Sequence, residues 1–164
     1  KPTGTLVLDD LLPGKHLYML ATGTGLAPFL ALTRDMEVYE RFDKVILVHG
    51  VRRVDDLSYR TFFEQTLPND ELFGEWAREK FIYYPTVTRE PFKNSGRITD
   101  LLQSHKLFSD IGLPPMNASD DRVMICGSMA MNADTCAILD GFGLTMSPRM
   151  GEPADYVVER AFVG

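Results

Sequence analysis

Two glycines follow the first apolar run of this sequence, at a place where a chain can hold a phosphate group. The run Leu17–Ala21 leads into the segment Thr22–Gly25, which reads Thr-Gly-Thr-Gly. Glycines let the backbone turn tightly and approach a bulky anion, because they carry no Cβ atom. Pro28 suits the first turn of a following helix, whose free N–H groups and dipole would face a pyrophosphate. Such a turn by itself more often only connects a strand to a helix, and it matches neither G-x-G-x-x-G nor the P-loop motif.

Basic residues follow the second and third apolar runs. They are Arg52 and Arg53 after the second run and Arg89 and Arg97 after the third, with Thr88 beside Arg89. Dinucleotide folds that bind a free ribose hydroxyl place an acidic residue at the end of the second strand, whereas this place is basic here. Guanidinium and hydroxyl groups suit a phosphate monoester better. Each arginine alone is more simply a solvated residue, but their joint placement predicts a local positive site on a chain of net charge −6.

The fourth apolar run leads into Cys126, Gly127 and Ser128, and these residues favour a structural role over nucleophilic chemistry. Cysteine is most simply a small buried hydrophobic residue, and Gly-Ser supplies a tight turn with a helix N-cap. A catalytic thiolate would need a base, and no sequence pattern brings any of the three histidines to Cys126. The same histidines lack the spacing of metal ligands. The sequence therefore predicts neither a thiol protease nor a metal site.

Length and composition limit the classes to which this protein can belong. The chain has 164 residues, 45% of them hydrophobic, and two cysteines, which predicts one globular domain without a disulfide framework. The acidic balance argues against a nucleic-acid partner, because binding many phosphates needs surplus Lys and Arg. No apolar run reaches the length of a membrane helix, and no signal-peptide core follows the N-terminus. We therefore expect no membrane partner and a reducing, cytoplasmic environment.

Short apolar runs alternate with helical stretches, and this order predicts the elements that position the glycines and arginines. The predicted strands are Leu17–Ala21, Lys44–Gly50, Lys80–Val87, Arg122–Cys126 and Asp155–Phe162. The predicted helices are Ala27–Tyr39, Asp55–Leu67, Ile98–His105 and Ser128–Phe142, with a surface loop at Phe108–Asp121. The alternation is typical of an α/β fold, here a Rossmann-like open parallel five-stranded sheet with helices on both faces. Ligands of such sheets bind beyond the carboxyl ends of the strands, where the glycines and arginines lie.

Five motifs, in this order along the chain, resemble the NADP-binding domain of ferredoxin–NADP reductases. They are Gly23–Pro28, His49–Arg52, Thr88–Glu90, Gly96–Ile98 and Cys126–Ser128. The final segment, Val158–Gly164, resembles the ending of the bacterial type, which also acts on flavodoxin. Each motif is modest alone, but the resemblance covers essentially the whole chain. It implies a ferredoxin reductase-like NADP-binding domain.

The resemblance implies a set of residues that bind NADP. Those that would line the pyrophosphate turn are Gly23, Thr24 and Gly25. Those that would hold the adenosine 2′-phosphate, which distinguishes NADP from NAD, are Thr88, Arg89 and Arg97. Arg52 matches a basic residue that helps to bind the nucleotide phosphates. In the motif Cys126, Gly127 and Ser128, the cysteine would lie beside the nicotinamide and position its C4 atom without attacking anything.

The resemblance also implies contacts with FAD. Glu159 matches a carboxylate near the flavin ring, and Ala161 and Phe162 match a terminal segment that screens the flavin. Gly4 and Thr5 would approach the FAD phosphates. Residues 1–10 would then be the end of a preceding FAD-binding domain, and residues 11–164 the NADP-binding domain. The antiparallel barrel that carries FAD in such reductases, with its Arg-x-Tyr-Ser motif, has no counterpart in these 164 residues.

The implied function is therefore that of the NADP half of a two-domain flavoenzyme. Such an enzyme exchanges a hydride between NADPH and FAD and passes electrons singly to or from ferredoxin or flavodoxin, and this chain alone is expected to be inactive. One alternative is a non-catalytic module that binds a nucleotide or docks a partner protein. Another is a different member of the same superfamily, such as a flavohaemoglobin-like or oxygenase reductase. The ferredoxin type is favoured by Thr88-Arg89 together with Gly96-Arg97, and by the Ala161-Phe162 ending.

Overall fold

The computed structural model describes residues 6–160, except the side chain of Arg160, and within them five strands form one parallel sheet. The strands are β1 (His16–Thr22), β2 (Lys44–Val51), β3 (Phe81–Val87), β4 (Asp121–Gly127) and β5 (Tyr156–Arg160). Their order across the sheet is β3-β2-β1-β4-β5, and each neighbouring pair is parallel. All five strand predictions are confirmed, the fifth as far as residue 160.

Within the same residues, six α-helices cover the two faces of this sheet. They are α1 (Ala27–Leu32), α2 (Met36–Arg41), α3 (Gly74–Lys80), α4 (Ile98–Gln103), α5 (Lys106–Ile111) and α6 (Met129–Gly141). Successive strand residues point to opposite faces, so neighbouring residues of β2 enter two separate apolar cores. Leu47 belongs to the core that contains Phe29 of α1, and Ile46 to the core that contains Leu102 of α4. The predicted α/β fold with helices on both faces is thus confirmed. No helix of residues 6–160 combines the length and the apolar character needed to cross a membrane.

The prediction of one helix over Ala27–Tyr39 is wrong, because α1 and α2 share this segment. The Thr33 hydroxyl donates to the carbonyl oxygen of Leu30 at 2.8 Å, a local bond that competes with helix continuation. Asp35 is extended, and its carboxylate accepts the N–H of Glu37 at 3.0 Å. This carboxylate is a typical helix N-cap, so a new helix starts where the apolar spacing alone predicts an uninterrupted one.

The helix predicted over Asp55–Leu67 is wrong for residues 55–59 and confirmed in part from Arg60 onward, where helical backbone begins. The segment has 3₁₀ turns at Val54–Asp56 and Leu67–Asn69, with a π-helical turn at Phe62–Thr66 between them. Tyr59 has a φ of +61°, a left-handed conformation that bulky side chains rarely adopt and that interrupts a right-handed helix. The apolar spacing therefore indicates which side chains face the core, although the backbone between them is irregular. Helix α3, which follows, is not predicted by the sequence.

The loop predicted over Phe108–Asp121 begins inside α5. This helix follows His105, which has a φ of +65°, and ends at Gly112, which has a φ of +74°. Glycine is the residue that most easily adopts this conformation after a helix. The remaining residues, 113–120, form the connection to β4. The prediction is thus wrong for the first turn of the segment and confirmed for the rest.

Candidate functional site

The carboxyl ends of the strands meet at one edge of the sheet, which we call the carboxyl edge, and most of the predicted site residues lie along it. Thr22 of β1 is in register with Gly50 of β2, and Ala21 is in register with Cys126 of β4. Cys126 is in turn in register with Glu159 of β5. The glycine turn follows β1, and the predicted arginines follow β2 and β3. A parallel sheet therefore gathers residues that are more than a hundred positions apart in the sequence.

The glycine turn after β1 is held by two backbone hydrogen bonds and one close approach. Gly23 has a φ of +53°, and its N–H donates to the carbonyl oxygen of Gly50 at 3.2 Å. The N–H of Gly25 donates to the carbonyl oxygen of Thr22 at 2.9 Å. A Cβ atom on Gly25 would lie 2.1 Å from the carbonyl oxygen of Cys126. Only glycine therefore lets the turn pack against the end of β4.

Two N–H groups of this turn are available to an anion. Among the described residues, the backbone N–H groups of Thr24 and Leu26 donate to no partner. Backbone N–H groups of a turn that have no partner attract anions, although the N–H of Gly25 between these two is already paired. Pro28 lies in the first turn of α1, as predicted, but α1 has only six residues. A helix this short sums few peptide dipoles, so the N–H groups of the turn contribute more to anion binding here than the helix does.

The loops after β2 and β3 are joined into one rim. The N–H of Arg89 donates to the carbonyl oxygen of Arg52 at 2.8 Å, which extends the pairing of the strands beyond their ends. The Glu90 carboxylate accepts the N–H of Val54 at 2.6 Å and ties the same two loops together. A small separate core lies beneath them and includes Val87. Arg52 and Arg89 are therefore carried by a supported pair of loops.

Arg97 reaches the same rim from the start of α4. The Thr86 hydroxyl donates to the carbonyl oxygen of Gly96 at 2.8 Å, which places Arg97 close to the end of β3. A Cβ atom on Gly50 would lie 3.3 Å from Ile98, so the first residue of α4 packs closely over the end of β2. Thr88, Arg89 and Arg97, which the sequence predicts to bind a phosphate monoester, thus share one rim. Thr88 is exposed and directly follows β3.

The three arginines of this rim have no counter-ion within the described residues. Arg52, Arg89 and Arg97 are exposed, and none of them forms an ion pair within the described residues. Four arginines elsewhere pair with carboxylates, namely Arg41, Arg60, Arg122 and Arg149. Arg34 and Arg78 do not, but Arg34 lies over the ring of Phe62 and Arg78 donates to the carbonyl oxygen of Pro68. Like charges at one edge repel each other unless an anion joins them. The rim therefore has the charge of an anion-binding site on an acidic protein.

Cys126 and Glu159 form the other end of the carboxyl edge. Cys126 is only 3% exposed. Its burial and, to a smaller extent, the charge of Glu159 raise the pKa of its thiol to about 11. The thiol is therefore protonated at neutral pH, and a thiolate nucleophile is not available there. This protonation state suits a residue that makes contact with a ring without attacking it.

We expect Cys126 to titrate far above neutral pH. In a Cys136→Ser background, the ultraviolet absorbance of the thiolate should rise with a midpoint near the Cys126 pKa of about 11, because burial disfavours the charged form. The same titration of the chain that also carries Cys126→Ser gives the baseline. A midpoint close to neutral pH would show an activated thiolate and would make nucleophilic chemistry possible.

The turn between β4 and α6 holds the strand ends at fixed separations. Ser128 caps α6 with its side chain, as predicted. A Cβ atom on Gly127 would lie 2.5 Å from the hydroxyl oxygen of Thr22, so the ends of β1 and β4 are in close contact. The Asn132 side-chain amide donates to the carbonyl oxygen of Glu159 at 3.4 Å and links α6 to β5. The Ser128 hydroxyl accepts the N–H of Met131 at 3.2 Å, and its own O–H can still donate to a ligand.

His49 is a residue at this edge to which the sequence patterns assign no role. Its side chain is fully buried, and its Nε2 atom lies 3.0 Å from the carbonyl oxygen of Gly23 in the glycine turn. The burial lowers the pKa of His49 below its ordinary value of 6.5, although the hydrogen bond to Gly23 opposes this shift. The sequence does contain a signal, since a histidine at the end of an otherwise apolar strand is unusual for a core position.

The burial of His49 predicts that the folded chain loses stability in acid. Unfolded His49 takes up a proton near pH 6.5, whereas folded His49 does so only at a lower pH. Between these two values the unfolded chain binds more protons, so the free energy of unfolding falls as the pH drops through this window. Urea unfolding on either side of pH 6.5 measures the free energy of unfolding. As the pH drops, this free energy should fall more steeply for the wild type than for His49→Gln. Equal slopes would mean that His49 is readily protonated in the folded chain.

Some predicted site residues lie outside the part of the chain that the structure describes. Gly4, Thr5, Ala161 and Phe162, to which the sequence assigns contacts with FAD, lie outside the described residues. Within residues 6–160, no group of His, Cys, Asp and Glu side chains could hold a metal ion. Of the residues to which the sequence assigns contacts with FAD, the structure therefore describes Glu159 alone.

Comparison with known proteins identifies the family to which this chain belongs. The sequence model of the oxidoreductase NAD-binding domain family matches residues 19–137. The chain is 68% identical to a ferredoxin–NADP reductase of Azotobacter vinelandii over 163 residues, which are 99% of this chain and 63% of that protein. It is 67% identical to a ferredoxin–NADP reductase of Pseudomonas aeruginosa, with the same coverage of 99% and 63%. The chain thus spans less than two thirds of the length of these relatives.

A solved structure agrees with the sequence matches. The crystal structure of a ferredoxin NADP⁺ reductase from Neisseria gonorrhoeae, with bound FAD and NADP, superimposes with a TM-score of 0.82 at 31% identity. The alignment covers 98% of this chain and 61% of that one. The family match extends over more than half of the chain and includes the glycine turn, the arginine rim and Cys126. The chain therefore belongs to the oxidoreductase NAD-binding domain family, and it is similar to a part of ferredoxin–NADP reductases.

Proposed function

We propose that this chain binds NADP(H) across its carboxyl edge, with the adenosine 2′-phosphate on Thr88, Arg89 and Arg97. The observation that carries the proposal is that three exposed arginines share one rim and have no carboxylate partner in the described part of the chain, whose net charge is −6 over its full length. A phosphate monoester offers negative charge and several acceptor oxygens, which guanidinium groups bind in pairs. The free 2′-hydroxyl of NAD offers neither, so the rim should favour NADP.

In this proposal, the glycine turn binds the pyrophosphate of NADP(H). Gly23, Thr24 and Gly25 would line the pyrophosphate. Gly25 would allow the close backbone approach, and the free N–H groups of Thr24 and Leu26 would donate to phosphate oxygens. Arg52 would add a charge from the neighbouring loop. Since these groups lie between the arginine rim and Cys126 along the edge, a dinucleotide would run along it with its adenosine over β2 and β3.

The nicotinamide end would lie over β4. Gly127 and Ser128 would offer backbone next to the ring, and Cys126 would contact it as a neutral thiol, whose pKa of about 11 keeps it protonated. Glu159 would place a carboxylate on the far side of Cys126. Holding the reacting carbon at a fixed place and excluding water is the contribution that a protein makes to hydride transfer.

We further propose that the complete enzyme couples NADPH to ferredoxin or flavodoxin through FAD. Residues 1–10 would end a preceding FAD-binding domain, residues 11–164 would form the NADP-binding domain, and Gly4, Thr5, Ala161 and Phe162 would contact FAD. The flavin, when bound, supplies hydride exchange and one-electron transfer. Without it, this chain would bind NADP but not turn it over. Two unpaired cysteines, Cys126 and Cys136, support a reducing, cytoplasmic location.

Calorimetric titration tests the proposed function. The 164-residue chain should bind NADP at least about tenfold more tightly than NAD, which corresponds to one charge-assisted phosphate contact or more. It should also fail to oxidise NADPH with a dye as acceptor. Equal affinity for NADP and NAD would contradict the assignment of the arginine rim to the 2′-phosphate.

A further inference from the structure

We propose that His49 is a positioning residue of the glycine turn, which it holds in its binding shape through the carbonyl group of Gly23. The inference rests on the proposed function, because it gives this turn the nucleotide pyrophosphate as its ligand. His49 would not touch the ligand itself. It would act through Gly23, and it would affect the pyrophosphate end of the site without affecting the 2′-phosphate end.

The geometry around Gly23 supports this role. The Nε2 atom of His49 lies 3.0 Å from the Gly23 carbonyl oxygen, and the Gly23 N–H donates to the carbonyl oxygen of Gly50 at 3.2 Å. Two consecutive residues of β2 therefore hold both polar groups of one glycine. Gly23 has a φ of +53° and no atom within 4 Å of the place where a Cβ would lie. Three hydrogen bonds constrain this conformation: the two to Gly23, and the bond from the N–H of Gly25 to the carbonyl oxygen of Thr22 that closes the turn.

The chemistry of the imidazole points in the same direction. A carbonyl oxygen only accepts, so Nε2 must carry the proton in this contact. In a neutral ring, Nδ1 is then an acceptor, and it is buried without a hydrogen-bond partner among the described residues. Burying an unpaired acceptor is costly. An apolar side chain would avoid that cost, because Val45 and Leu47, on the same face of β2, lie in an apolar core. The contact with Gly23 is the feature of His49 that such a side chain would not reproduce.

The shape of the turn matters because its free N–H groups lie directly after Gly23. Thr24 and Leu26 donate to no partner within the described residues, and the direction of these N–H groups depends on the peptide planes before them. Loss of the bond from His49 would free the Gly23 carbonyl to rotate, since glycine has a wide choice of φ and ψ. The turn would then have to be ordered again each time that a pyrophosphate binds.

The test compares two ligands and two variants of the 164-residue chain. NADP carries both the 2′-phosphate and the pyrophosphate, whereas 2′-AMP carries only the former. His49→Leu, which cannot donate, should weaken NADP about fivefold, the effect of one lost hydrogen bond, and leave 2′-AMP binding unchanged. His49→Gln keeps a donor near the position of Nε2 and should bind NADP within about twofold of the wild type.

The outcomes separate this role from the proposed function. If the wild type bound both ligands and His49→Leu still bound NADP normally, or if it lost both ligands equally, the positioning role would be wrong. If the wild type bound neither ligand, the proposed function would be wrong and this role with it. A measurement on the wild type alone covers the case in which His49→Leu does not fold. Nitrogen-15 NMR should show the proton of His49 on Nε2, and a proton on Nδ1 instead would overturn the inference.

Discussion

Replacing Arg89 or Arg97 with alanine is expected to weaken NADP binding by about 1–3 kcal/mol per site and to leave NAD binding almost unchanged. Both side chains are exposed, and their removal breaks no hydrogen bond or ion pair within the described residues. Only NADP has a phosphate on the 2′-oxygen of its adenosine. Calorimetric titration of each variant with both nucleotides measures the difference directly.

A matched control for these variants is Arg149→Ala. Arg149 is also exposed, but it pairs with Glu152 in the segment before β5, far from the carboxyl edge. Its loss should change neither affinity, because surface ion pairs contribute little to stability. If Arg89→Ala weakened NADP and NAD equally, the side chain would support the loops and would not read the 2′-phosphate. We do not expect this loss of both affinities, because the loops of the rim are already held together by the hydrogen bond from the N–H of Val54 to the Glu90 carboxylate.

Replacing Gly25 with alanine should destabilise the chain by about 3 kcal/mol, at the upper end of the cost of inserting an atom into packed structure. The new Cβ atom would lie 2.1 Å from the carbonyl oxygen of Cys126 and 3.2 Å from that of Thr22. Both neighbours are backbone atoms of paired strands, so neither can move aside without breaking the ladder. We also expect NADP binding to be lost, because the turn would be pushed away from the end of β4. Urea unfolding and calorimetric titration measure the two effects.

Gly141→Ala is the matched control for this substitution. Gly141 is the last residue of α6, and a Cβ atom there would meet nothing within 4 Å. Alanine is favoured over glycine in a helix by about 1 kcal/mol, so this variant should be as stable as the wild type or more stable. A Gly25→Ala chain that unfolded at the same urea concentration as the wild type would show that the close approach to Cys126 is absent in solution.

The strands and their shared edge were predictable from the sequence because the runs are strongly apolar. Lys44–Val51 and Asp121–Gly127 are buried on both faces, and such runs read as central strands of a parallel sheet. Parallel pairing then places every residue that follows a strand at one edge, so the position of Arg52 and Arg89 followed from order alone. The helices were less predictable. The break at Asp35 and the left-handed Tyr59 depend on local hydrogen bonds and backbone angles, which apolar spacing does not report.

The sequence by itself determined which kinds of groups stand at the carboxyl edge, namely glycines, guanidinium groups, a thiol and a carboxylate. The tertiary structure alone decided three properties of those groups. It left Arg89 without a carboxylate partner among residues 6–160, it set the backbone of Gly25 against Cys126, and it joined the ring of His49 to Gly23. Each property depends on distances between atoms of different strands or loops. Such distances arise only when the sheet forms, because residue spacing along a chain does not contain them.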